Sequence, residues 1–516
     1  MPNLLQRAAS AAASCECGHH KPVTLETIVV ERGALQRVPV YLAAQHHTSV
    51  AVVADANTYE ASAEKLMHLL AEQGIHAQLV LVKPNEQGDV VADEAALVQV
   101  MIEVPHLAVS ALLAVGAGTI HDLVRYAAFK MGKSFISVPT AASVDGFNSV
   151  GAPLILRGHK TTLPAIAPIA LFADLDVLMA APKRLTAAGF GDMLGKCTSL
   201  FDWQFAHRAA GEPYCPAVAQ LTQEALDSCL RDVEEIASGS EQGLRTLMEA
   251  LIQSGLAMML FGQSHSASGS EHHLSHYWEM EYLRLGRKQL LHGAKVGVAS
   301  AEIAWLYRSI SRPADWPEMD ELVEWLPTPE QLREWLAGAG GPTTPQEIGI
   351  DEELLKRSLR EAHRVRNRYT MLRAYNESRA AEPIVADSSH PTTPAAPDWN
   401  GVIPILRSFD ESKARAFYVD FLGMQVDFEH RFEPSLPLYM QVSLGEVKLH
   451  LSEHHGDCTP GSAVRIEMKG IAQYHASLLA KHYGNARPGL SKTPWGSKEM
   501  SIQDPFGNRV ILYEWL

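Results

Sequence analysis

The sequence predicts a doubly wound α/β domain, an all-helical domain and a small α+β domain, in that order. A chain of 516 residues is too long for one ordinary hydrophobic core. From Ser49 onward, β-rich apolar runs alternate with amphipathic segments, which is typical of βαβ units and a parallel sheet. Strand signals fade near Pro182, and a proline-rich stretch from Ser388 precedes a last region in which strands and helices mix again.

The predicted elements follow one another in a fixed order. The first domain reads as strand "SVAVVAD", helix "TYEASAEKLMHLLAEQG", strand "AQLVLVK", helix "EAALVQVMIEV" and strand "ALLAVGAG". The last domain reads as "VIPILRS", helical "ESKARAFYVDFLG", "LYMQVSLGEVKLHLS", "SAVRIEMKG", helical "IAQYHASLLAKHYG" and "KEMSIQDPFGNRVILYE". We therefore expect an α/β domain over 1–185, a helical domain over 186–385, a linker over 386–400 and a third domain over 401–516.

Composition and charge exclude several classes of protein. A net charge of −15 argues against binding to the nucleic-acid backbone, which needs a basic surface. The apolar stretch Pro164–Pro182 carries Asp174 and Asp176, which would be costly in a bilayer, so we expect no membrane span. Six cysteines are too few for a disulfide scaffold of this length, and we expect a cytoplasmic protein.

Two loops after predicted strands could bind a nucleotide. In "AVGAGTIHD", Gly116 and Gly118 would let backbone amides approach a pyrophosphate at a helix N-terminus, although a bare tight turn fits equally well. In "SVPTAASVDGFNS", Thr140 and Ser143 can bond a nucleotide and Asp145 can accept from a substrate hydroxyl, although an ordinary polar loop remains an alternative.

A histidine-rich segment, "GSEHHLSHYWEM", raises the question of a metal. His272 and His276 share a helical face because they are four residues apart, whereas His273 points roughly 100° away around the helix. His292 offers a further imidazole and Asp192 a carboxylate, and such a mixed set suits a catalytic divalent ion. Taken singly, each histidine would by default be structural.

A second possible metal site lies near the N-terminus, in "CECGHH". Cys15, Cys17, His19 and His20 could act as ligands, but no second half of a zinc motif follows at the usual spacing. A flexible N-terminal segment is therefore the favoured interpretation.

Residues 15–380 resemble the sn-glycerol-1-phosphate dehydrogenases, within the dehydroquinate synthase-like and metal-dependent alcohol dehydrogenase fold. The motifs are "GAGTIHDLVRYAAFK", "FISVPTAASVDGFNS", "GFGDMLGK", "SGSEHHLSHYWEM" and "LHGAKVG". The resemblance implies metal binding by Asp192, His272 and His292. It implies catalytic roles for Asp192 and His276, and substrate contacts from Asp145, Asp192 and His276. It implies cofactor contacts from Gly116, Gly118, Thr119, Ile120, His121, Asp122, Thr140, Ser143 and Ser149.

The implied activity is reversible hydride transfer between NAD or NADP and glycerol 1-phosphate, assisted by one zinc or nickel ion in a homo-oligomer. Lys160 and Lys295 are candidates for binding the substrate phosphate by charge alone, and a solvated lysine is the favoured interpretation of each. A dehydrogenase of another small polyol and a dehydroquinate synthase-like enzyme remain alternatives.

Residues 402–516 resemble the glyoxalase/bleomycin-resistance branch of the vicinal oxygen chelate superfamily, which implies two βαβββ modules. Positions corresponding to the metal ligands of that superfamily fall near Val464 or Arg465 and at Ile511, which cannot serve. Other conceivable ligands are His450, His454 and His455. We expect a metal-free pocket for a small apolar or aromatic ligand, with Trp495 and Phe432 as candidate lining, or a role in dimerisation. A drug- or metabolite-binding resistance protein is the alternative.

Overall fold

The computed structural model describes residues 3–105, 107–310, 319–381, 402–431, 436–454 and 456–516. The chain divides into two compact units, Met1–Ile384 and Val385–Leu516. The predicted linker, 386–400, lies outside the described residues, as do Phe432 and His455. The predicted domain boundaries at 185 and 385 remain predictions.

The first unit contains a six-stranded, fully parallel sheet. Its strands are β1 (Thr27–Glu31), β2 (Ser49–Ala54), β3 (His76–Leu81), β4 (Ala111–Gly116), β5 (Ser134–Pro139) and β8 (Ala170–Asp174). They run in the order β1-β8-β5-β4-β2-β3, with apolar clusters on both faces of the sheet. This arrangement confirms the doubly wound α/β fold. A hairpin of β6 (Gly151–Leu156) and β7 (His159–Pro164), which the sequence analysis did not predict, follows β5.

Helices surround this sheet and then form a region of their own. The helices up to β8 are Leu4–Ala13, Arg37–Ala44, Ala56–Thr58, Glu64–Glu72, Glu94–Glu103 and Gly118–Met131. After β8 come Leu175–Ala180, Lys183–Leu194, Lys196–Ala210, Pro216–Arg231, Val233–Ser238, Glu241–Phe261, Ser270–Arg284, His292–Ser309, Met319–Trp325, Pro329–Gly338, Glu352–Glu361 and Met371–Ala381. The predicted helical region is therefore confirmed.

One of these helices, Glu241–Phe261, is long and apolar enough to cross a membrane by length and composition alone. However, 89% of its most apolar window is buried inside the unit. It packs against Pro216–Arg231 and supplies Leu247, Leu251 and Leu256 to the core. Such burial is typical of the core helix of a folded domain.

The second unit consists of two similar halves. In the first half, β9 (Ile405–Arg407), helix Glu411–Ala414, β10 (Gln425–His430), β11 (Tyr439–Leu444) and β12 (Val447–Ser452) form a sheet in the order β10-β11-β12-β9. In the second half, β13 (Ala463–Glu467), helix Ile471–Ala480, β14 (Leu490–Lys492), β15 (Ser497–Gln503) and β16 (Arg509–Trp515) form a sheet in the order β13-β16-β15-β14. In each half the first strand pairs in parallel with the last. The predicted βαβββ repeat is confirmed.

Candidate active site

A large cleft lies in the first unit, beyond the carboxyl ends of β4 and β5. Its volume is about 1060 Å³, enough for a dinucleotide fragment and a small substrate. The start of helix Gly118–Met131 and the loop that follows β5 form one wall, and the hairpin β6–β7 contributes to another. The helical region contributes His272, His276 and His292 to the lining. This is the edge at which doubly wound sheets bind their ligands.

Three of the predicted metal ligands converge at this cleft. One ligand atom each from Asp192, His272 and His292 lie within 4.8 Å of one another. His272 Nε2 is 3.7 Å from Asp192 Oδ1, and the ring centroids of His272 and His292 are 5.1 Å apart. A carboxylate and two imidazoles at this separation can hold a divalent ion and leave further coordination positions open.

A close contact between two helices brings Asp192 next to His292. A Cβ at Gly293 would lie 1.8 Å from the carbonyl oxygen of Ala188, and one at Gly191 would lie 2.4 Å from the carbonyl oxygen of Gly293. Helices Lys183–Leu194 and His292–Ser309 therefore touch backbone to backbone at a point where only glycine fits.

His272 is oriented by its neighbour Glu271, which the sequence analysis missed. Glu271 Oε1 accepts from His272 Nδ1 at 2.7 Å, while Oε2 accepts from the hydroxyl of Thr198 at 2.6 Å. Burial would raise the pKa of Glu271, but these hydrogen bonds and the charge of His272 lower it to about 2. A carboxylate on Nδ1 leaves Nε2 as the nitrogen that faces Asp192, the arrangement typical of histidines that bind metal.

The helix that carries these histidines begins at a fixed polar anchor. The backbone N–H of Ser270 donates to Asp202 Oδ2 at 2.7 Å, and Tyr307 donates its hydroxyl to Asp202 Oδ1 at 2.8 Å. Burial raises the pKa of Asp202 to about 6, with a further contribution from the charge of Glu271. Asp202 thereby fixes the first turn of helix Ser270–Arg284, and with it the direction of His272.

Lys196, also missed by the sequence analysis, joins Asp145 to Asp192. Its ammonium lies 2.8 Å from Asp145 Oδ2 and 3.3 Å from Asp192 Oδ1, and it is fully buried. Ser254 also donates to Asp145 Oδ2 at 2.8 Å, and the backbone N–H of Asp145 donates to Asp192 Oδ2 at 2.9 Å. Asp145 lines the cleft, but its Oδ2 is already bonded to two groups of the protein.

His276 lies on the same helical face as His272 and belongs to a second cluster. One ligand atom each from His276, Glu279 and His292 lie within 4.8 Å of one another. Burial lowers the pKa of His276 and of His292 well below its usual value, which keeps both rings neutral. His273 belongs to neither cluster, and neither of its buried ring nitrogens has a hydrogen-bond partner.

Four cationic side chains line the same cleft: Lys160, Lys295, Arg366 and Arg368. Lys160 and Lys295 share one carboxylate, that of Glu279, at 2.8 and 3.0 Å. Burial lowers the pKa of Lys295 to about 8 although Glu279 opposes the shift. Lys295 is therefore buried and Lys160 is partly buried, whereas the sequence predicts that both are solvated. Together the two lysines carry more positive charge than the single carboxylate that they share carries negative charge.

The predicted cofactor residues fall into two groups. Gly118, Thr119, Asp122, Ser143 and Ser149 line the cleft, as does Ala117. Gly116, Ile120, His121 and Thr140 lie behind its lining. A Cβ at Gly116 would lie 2.7 Å from Ile120 Cγ1, so this glycine allows the strand and helix to pack closely.

The buried His121 has both ring nitrogens bonded within the protein. Nδ1 lies 2.9 Å from the carbonyl oxygen of Ala117, and Nε2 lies 2.7 Å from the hydroxyl of Ser137. Because Ala117 can only accept, Nδ1 carries the proton and Nε2 accepts from Ser137. Both ring nitrogens are thus bonded within the protein, and the expected contact between His121 and the cofactor remains a prediction.

Arg125 orders the loop that carries Ser149, and nothing in the sequence patterns marked it. This fully buried guanidinium donates to the carbonyl oxygens of Gly146, Phe147 and Gly151, and pairs with Asp122 at 2.9 Å. Burial raises the pKa of Asp122 to about 7 although Arg125 opposes the shift.

In the second unit, the strand positions that the resemblance assigns to metal ligands carry side chains that cannot bind a metal. Arg465 and Ile511 are directly paired across β13 and β16. His450 is bonded through both ring nitrogens, to Tyr439 at 2.6 Å and to Gln441 at 2.8 Å. Trp495 is 61% exposed and donates to Glu499. Among the described residues of this unit, no three His, Cys, Asp or Glu atoms cluster at metal-binding separation.

The sequence and structure are similar to those of known proteins. Residues 29–182 match the family "Iron-containing alcohol dehydrogenase", and residues 392–515 match "Glyoxalase superfamily protein". Among solved structures, glycerol dehydrogenase from Schizosaccharomyces pombe matches with a TM-score of 0.51 at 20% identity, covering 69% of this chain and 90% of that one. A probable glycerol dehydrogenase from Sinorhizobium meliloti 1021 matches with a TM-score of 0.53 at 17% identity, covering 69% and 96%. These likenesses show the fold.

Curated relatives are much more similar in sequence. "Glycerol-1-phosphate dehydrogenase [NAD(P)+]" from Geobacillus stearothermophilus is 50% identical over 400 residues, covering 73% of this chain and 99% of the relative. The protein of the same name from Bacillus subtilis (strain 168) is 45% identical over 366 residues, covering 69% and 93%. The chain therefore belongs to the glycerol-1-phosphate dehydrogenase [NAD(P)+] family of oxidoreductases and carries an additional glyoxalase-superfamily domain at its C-terminal end.

Proposed function

We propose that this chain catalyses reversible hydride transfer between NAD(P)H and dihydroxyacetone phosphate, with sn-glycerol 1-phosphate as the reduced product. The observation that carries the proposal is the convergence of Asp192, His272 and His292 in a cleft that also holds a helix N-terminus and four cations. A site that binds a ketone phosphate together with a dinucleotide requires all of these features. The relative at 50% identity, which bears the name of this activity, matches the chain over 99% of its own length.

The metal would be held by Asp192, His272 and His292. Their fit rests on three observations: a mixed carboxylate and imidazole set, an Nε2 of His272 that faces Asp192, and a His292 that burial keeps neutral. A divalent ion bound there, zinc or nickel, would act as a Lewis acid on the reacting oxygen. The donor set suits both metals.

The nicotinamide cofactor would lie along the wall formed by β4, β5 and the helix that starts at Gly118. The free N–H groups and the dipole of that helix favour a pyrophosphate at its N-terminus. A Cβ at Gly118 would lie 3.1 Å from Val144 Cγ2, so the glycine keeps this turn tight against the neighbouring loop. Thr119, Ser143 and Ser149 line the same wall with hydroxyl groups that can bond the phosphates and ribose.

The substrate phosphate would bind among Lys160, Lys295, Arg366 and Arg368. The two lysines share the single carboxylate of Glu279, so their net charge is positive and favours a dianion. Arg368 Nε and Nη1 are buried without a partner. Unpaired buried donors are costly unless a ligand completes them.

His276 and Asp145 would contact the reacting end of the substrate. The neutral ring of His276, one turn beyond His272, can bond the substrate hydroxyl and move its proton toward solvent. Asp145 has Ser254 and Lys196 on Oδ2, so any bond to substrate would use Oδ1.

The proposal also includes a cytoplasmic location and a homo-oligomer. The described cysteines are free of disulfides, as expected in a reducing compartment. Helix Glu94–Glu103 exposes the neighbouring apolar side chains of Val98, Met101 and Ile102. Exposed apolar faces of this kind favour association between copies. Sedimentation of the purified protein tests this part independently of the activity.

Metal reconstitution tests the activity directly. The protein is stripped with a chelator, zinc and nickel are added back separately, and oxidation of NADH or NADPH is followed with dihydroxyacetone phosphate. We expect turnover that depends on added metal and on the phosphate of the substrate. Asp192→Ala should lose this turnover. Metal-independent turnover, or full activity in that variant, would overturn the ligand assignment. Turnover of an unphosphorylated polyol alone would point to a different dehydrogenase.

A further inference from the structure

Four potential metal ligands meet near the N-terminus, away from the cleft. Cys15, Cys17 and His20 lie on the segment that follows helix Leu4–Ala13, and Cys215 precedes helix Pro216–Arg231. One ligand atom from each lies within 4.8 Å of the other three. None of the four lines the cleft. The fold therefore supplies a fourth ligand that is 195 positions from His20 in the sequence.

The separations match tetrahedral zinc coordination. With Zn–S near 2.3 Å and Zn–N near 2.05 Å, a tetrahedron places sulfurs about 3.8 Å apart and a sulfur about 3.6 Å from a nitrogen. Cys15 Sγ is 3.7 Å from Cys215 Sγ, Cys17 Sγ is 3.5 Å from His20 Nε2, and His20 Nε2 is 3.2 Å from Cys215 Sγ. A disulfide between Cys15 and Cys215 would instead need an Sγ–Sγ distance of about 2.05 Å.

We propose that Cys15, Cys17, His20 and Cys215 bind one zinc ion as a closed structural site. Three thiolates and one imidazole form a tetrahedral set that is typical of structural zinc and leaves no position for substrate. Binding releases the thiol protons to solvent and changes no oxidation state. The site is independent of the metal proposed for the cleft, whose three ligands contain no sulfur.

Local backbone structure helps to bring the four ligands together. Gly18 has a φ of 71°, which lets the chain turn back between Cys17 and His20. The backbone N–H of Val218 donates to Cys215 Sγ at 3.4 Å.

The adjacent His19 is excluded from the set by its position. Its ring meets Phe261 edge to face at a centroid distance of 6.1 Å, and it does not belong to the cluster of four. Of the two histidines that end "CECGHH", the structure therefore selects His20 as the ligand.

The zinc ion would join the N-terminal segment to the helical region. Between helix Leu4–Ala13 and β1 the described chain has no regular helix or strand, and the backbone N–H of Lys21 donates to the carbonyl oxygen of Leu260 at 2.7 Å. Leu260 is the last residue but one of helix Glu241–Phe261, and the helix ends directly before Gly262, which lines the cleft. Holding the segment in place therefore also supports one wall of the cleft.

Cobalt substitution tests the site by its sulfur ligands. The full-length protein, purified under reducing conditions, is stripped of metal and titrated with Co²⁺, and thiolate-to-cobalt charge-transfer absorption is recorded. We expect a band that saturates at about one cobalt per chain and disappears when zinc is added. The cleft ligands cannot produce this band. Its absence from the wild-type protein, or a Cys15–Cys215 disulfide found by mass spectrometry of the reduced preparation, would overturn the proposal.

Variants separate the four ligands from the remaining cysteines. Cys15→Ser and Cys215→Ser should each abolish most of the band and lower the zinc content by about one ion per chain. His20→Cys retains four ligands and should keep zinc, which guards against a variant that merely fails to fold. Cys458→Ser, the matched control in the second unit, should leave band and zinc content unchanged. A band that survived Cys215→Ser at full intensity would contradict the assignment.

Discussion

The two units differ in whether they bring potential metal ligands together. In the first unit, carboxylate and imidazole groups from three helices converge at a cleft, and a second layer of buried groups such as Glu271 holds them in place. In the second unit, the strand positions expected to hold metal ligands carry Val464 or Arg465 and Ile511. Arg465 is paired with Glu499 and lies 4.5 Å from the ring centroid of Tyr513.

This difference shows that a fold supplies positions whereas individual side chains supply chemistry. The βαβββ repeat of the second unit is intact, yet its ring nitrogens at His450 and its guanidinium at Arg465 are already bonded within the protein. In the first unit, by contrast, several polar groups are aimed at the cleft.

The largest expected effect comes from removing a histidine. His272→Ala should lower kcat by at least about a thousandfold, because it removes a proposed metal ligand and with it several kcal/mol of stabilisation of the developing charge. His450→Ala, the counterpart in the second unit, should leave kcat within about twofold. Steady-state kinetics at saturating zinc or nickel give both values. Equal losses in the two variants would mean that the comparison is mistaken.

A smaller effect is expected from the carboxylate behind the metal ligand. Glu271→Gln replaces the charged acceptor on His272 Nδ1 and should weaken metal affinity by about 10–100-fold. Glu499→Gln removes the corresponding partner of Arg465 and should not change metal affinity. Metal titrations followed by activity and by isothermal calorimetry would measure this. An unchanged metal affinity in Glu271→Gln would show that the charge of Glu271 is not needed to position His272.

These contrasts also define how much could be predicted from the sequence. Periodicity located β2, β3 and β4 with the helices between them, and most elements of the second unit, because amphipathic patterns reflect burial directly. It did not locate β1 or the hairpin β6–β7. The spacing of four residues correctly placed His272 and His276 on one helical face. The resemblance to a family supplied Asp192 and His292, which lie on different helices and carry no local pattern that joins them.

What the sequence could not reveal are contacts between distant parts of the chain. Lys196 is an ordinary lysine in "GDMLGKC" until the fold places it between Asp145 and Asp192. Cys215 likewise has no motif around it, so "CECGHH" lacks its fourth ligand when read alone. Conversely, His121 stood where a cofactor contact was expected, but the strand behind it supplies its bonding partner, Ser137.

Gly293 in the first unit and Gly484 in the second differ in the space around them. Gly293→Ala would place a Cβ 1.8 Å from the carbonyl oxygen of Ala188, so the two helices must separate and His292 must move from Asp192. We expect a loss of roughly 1–3 kcal/mol in stability together with weaker metal binding. Gly484→Ala in the second unit, where nothing lies within 4 Å of the new Cβ, should change neither. Thermal unfolding and metal titration of the two variants provide the test.

A further expected effect is a dependence of stability on pH that comes from His121. Burial lowers the pKa of this histidine to about 3, against 6.5 for an unperturbed histidine. Below pH 6.5 the unfolded state therefore binds a proton that the folded state refuses, so stability is complete above pH 6.5 and falls as the pH drops toward 3. At pH 5 the loss is about 2 kcal/mol.

His121→Asn should remove this contribution, so the fall in unfolding free energy between pH 6.5 and pH 5 becomes smaller than in the wild-type chain. The variant also loses the bonds to Ala117 and Ser137, which lowers stability at every pH. The pH dependence separates the two effects. A lost hydrogen bond lowers the free energy of unfolding by the same amount at every pH, whereas loss of the titrating histidine makes that free energy vary less with pH. His450, only partly buried in the second unit, should contribute a shallower dependence. Chemical denaturation at several pH values measures both, and an unaltered slope in His121→Asn would show that His121 does not titrate in this range.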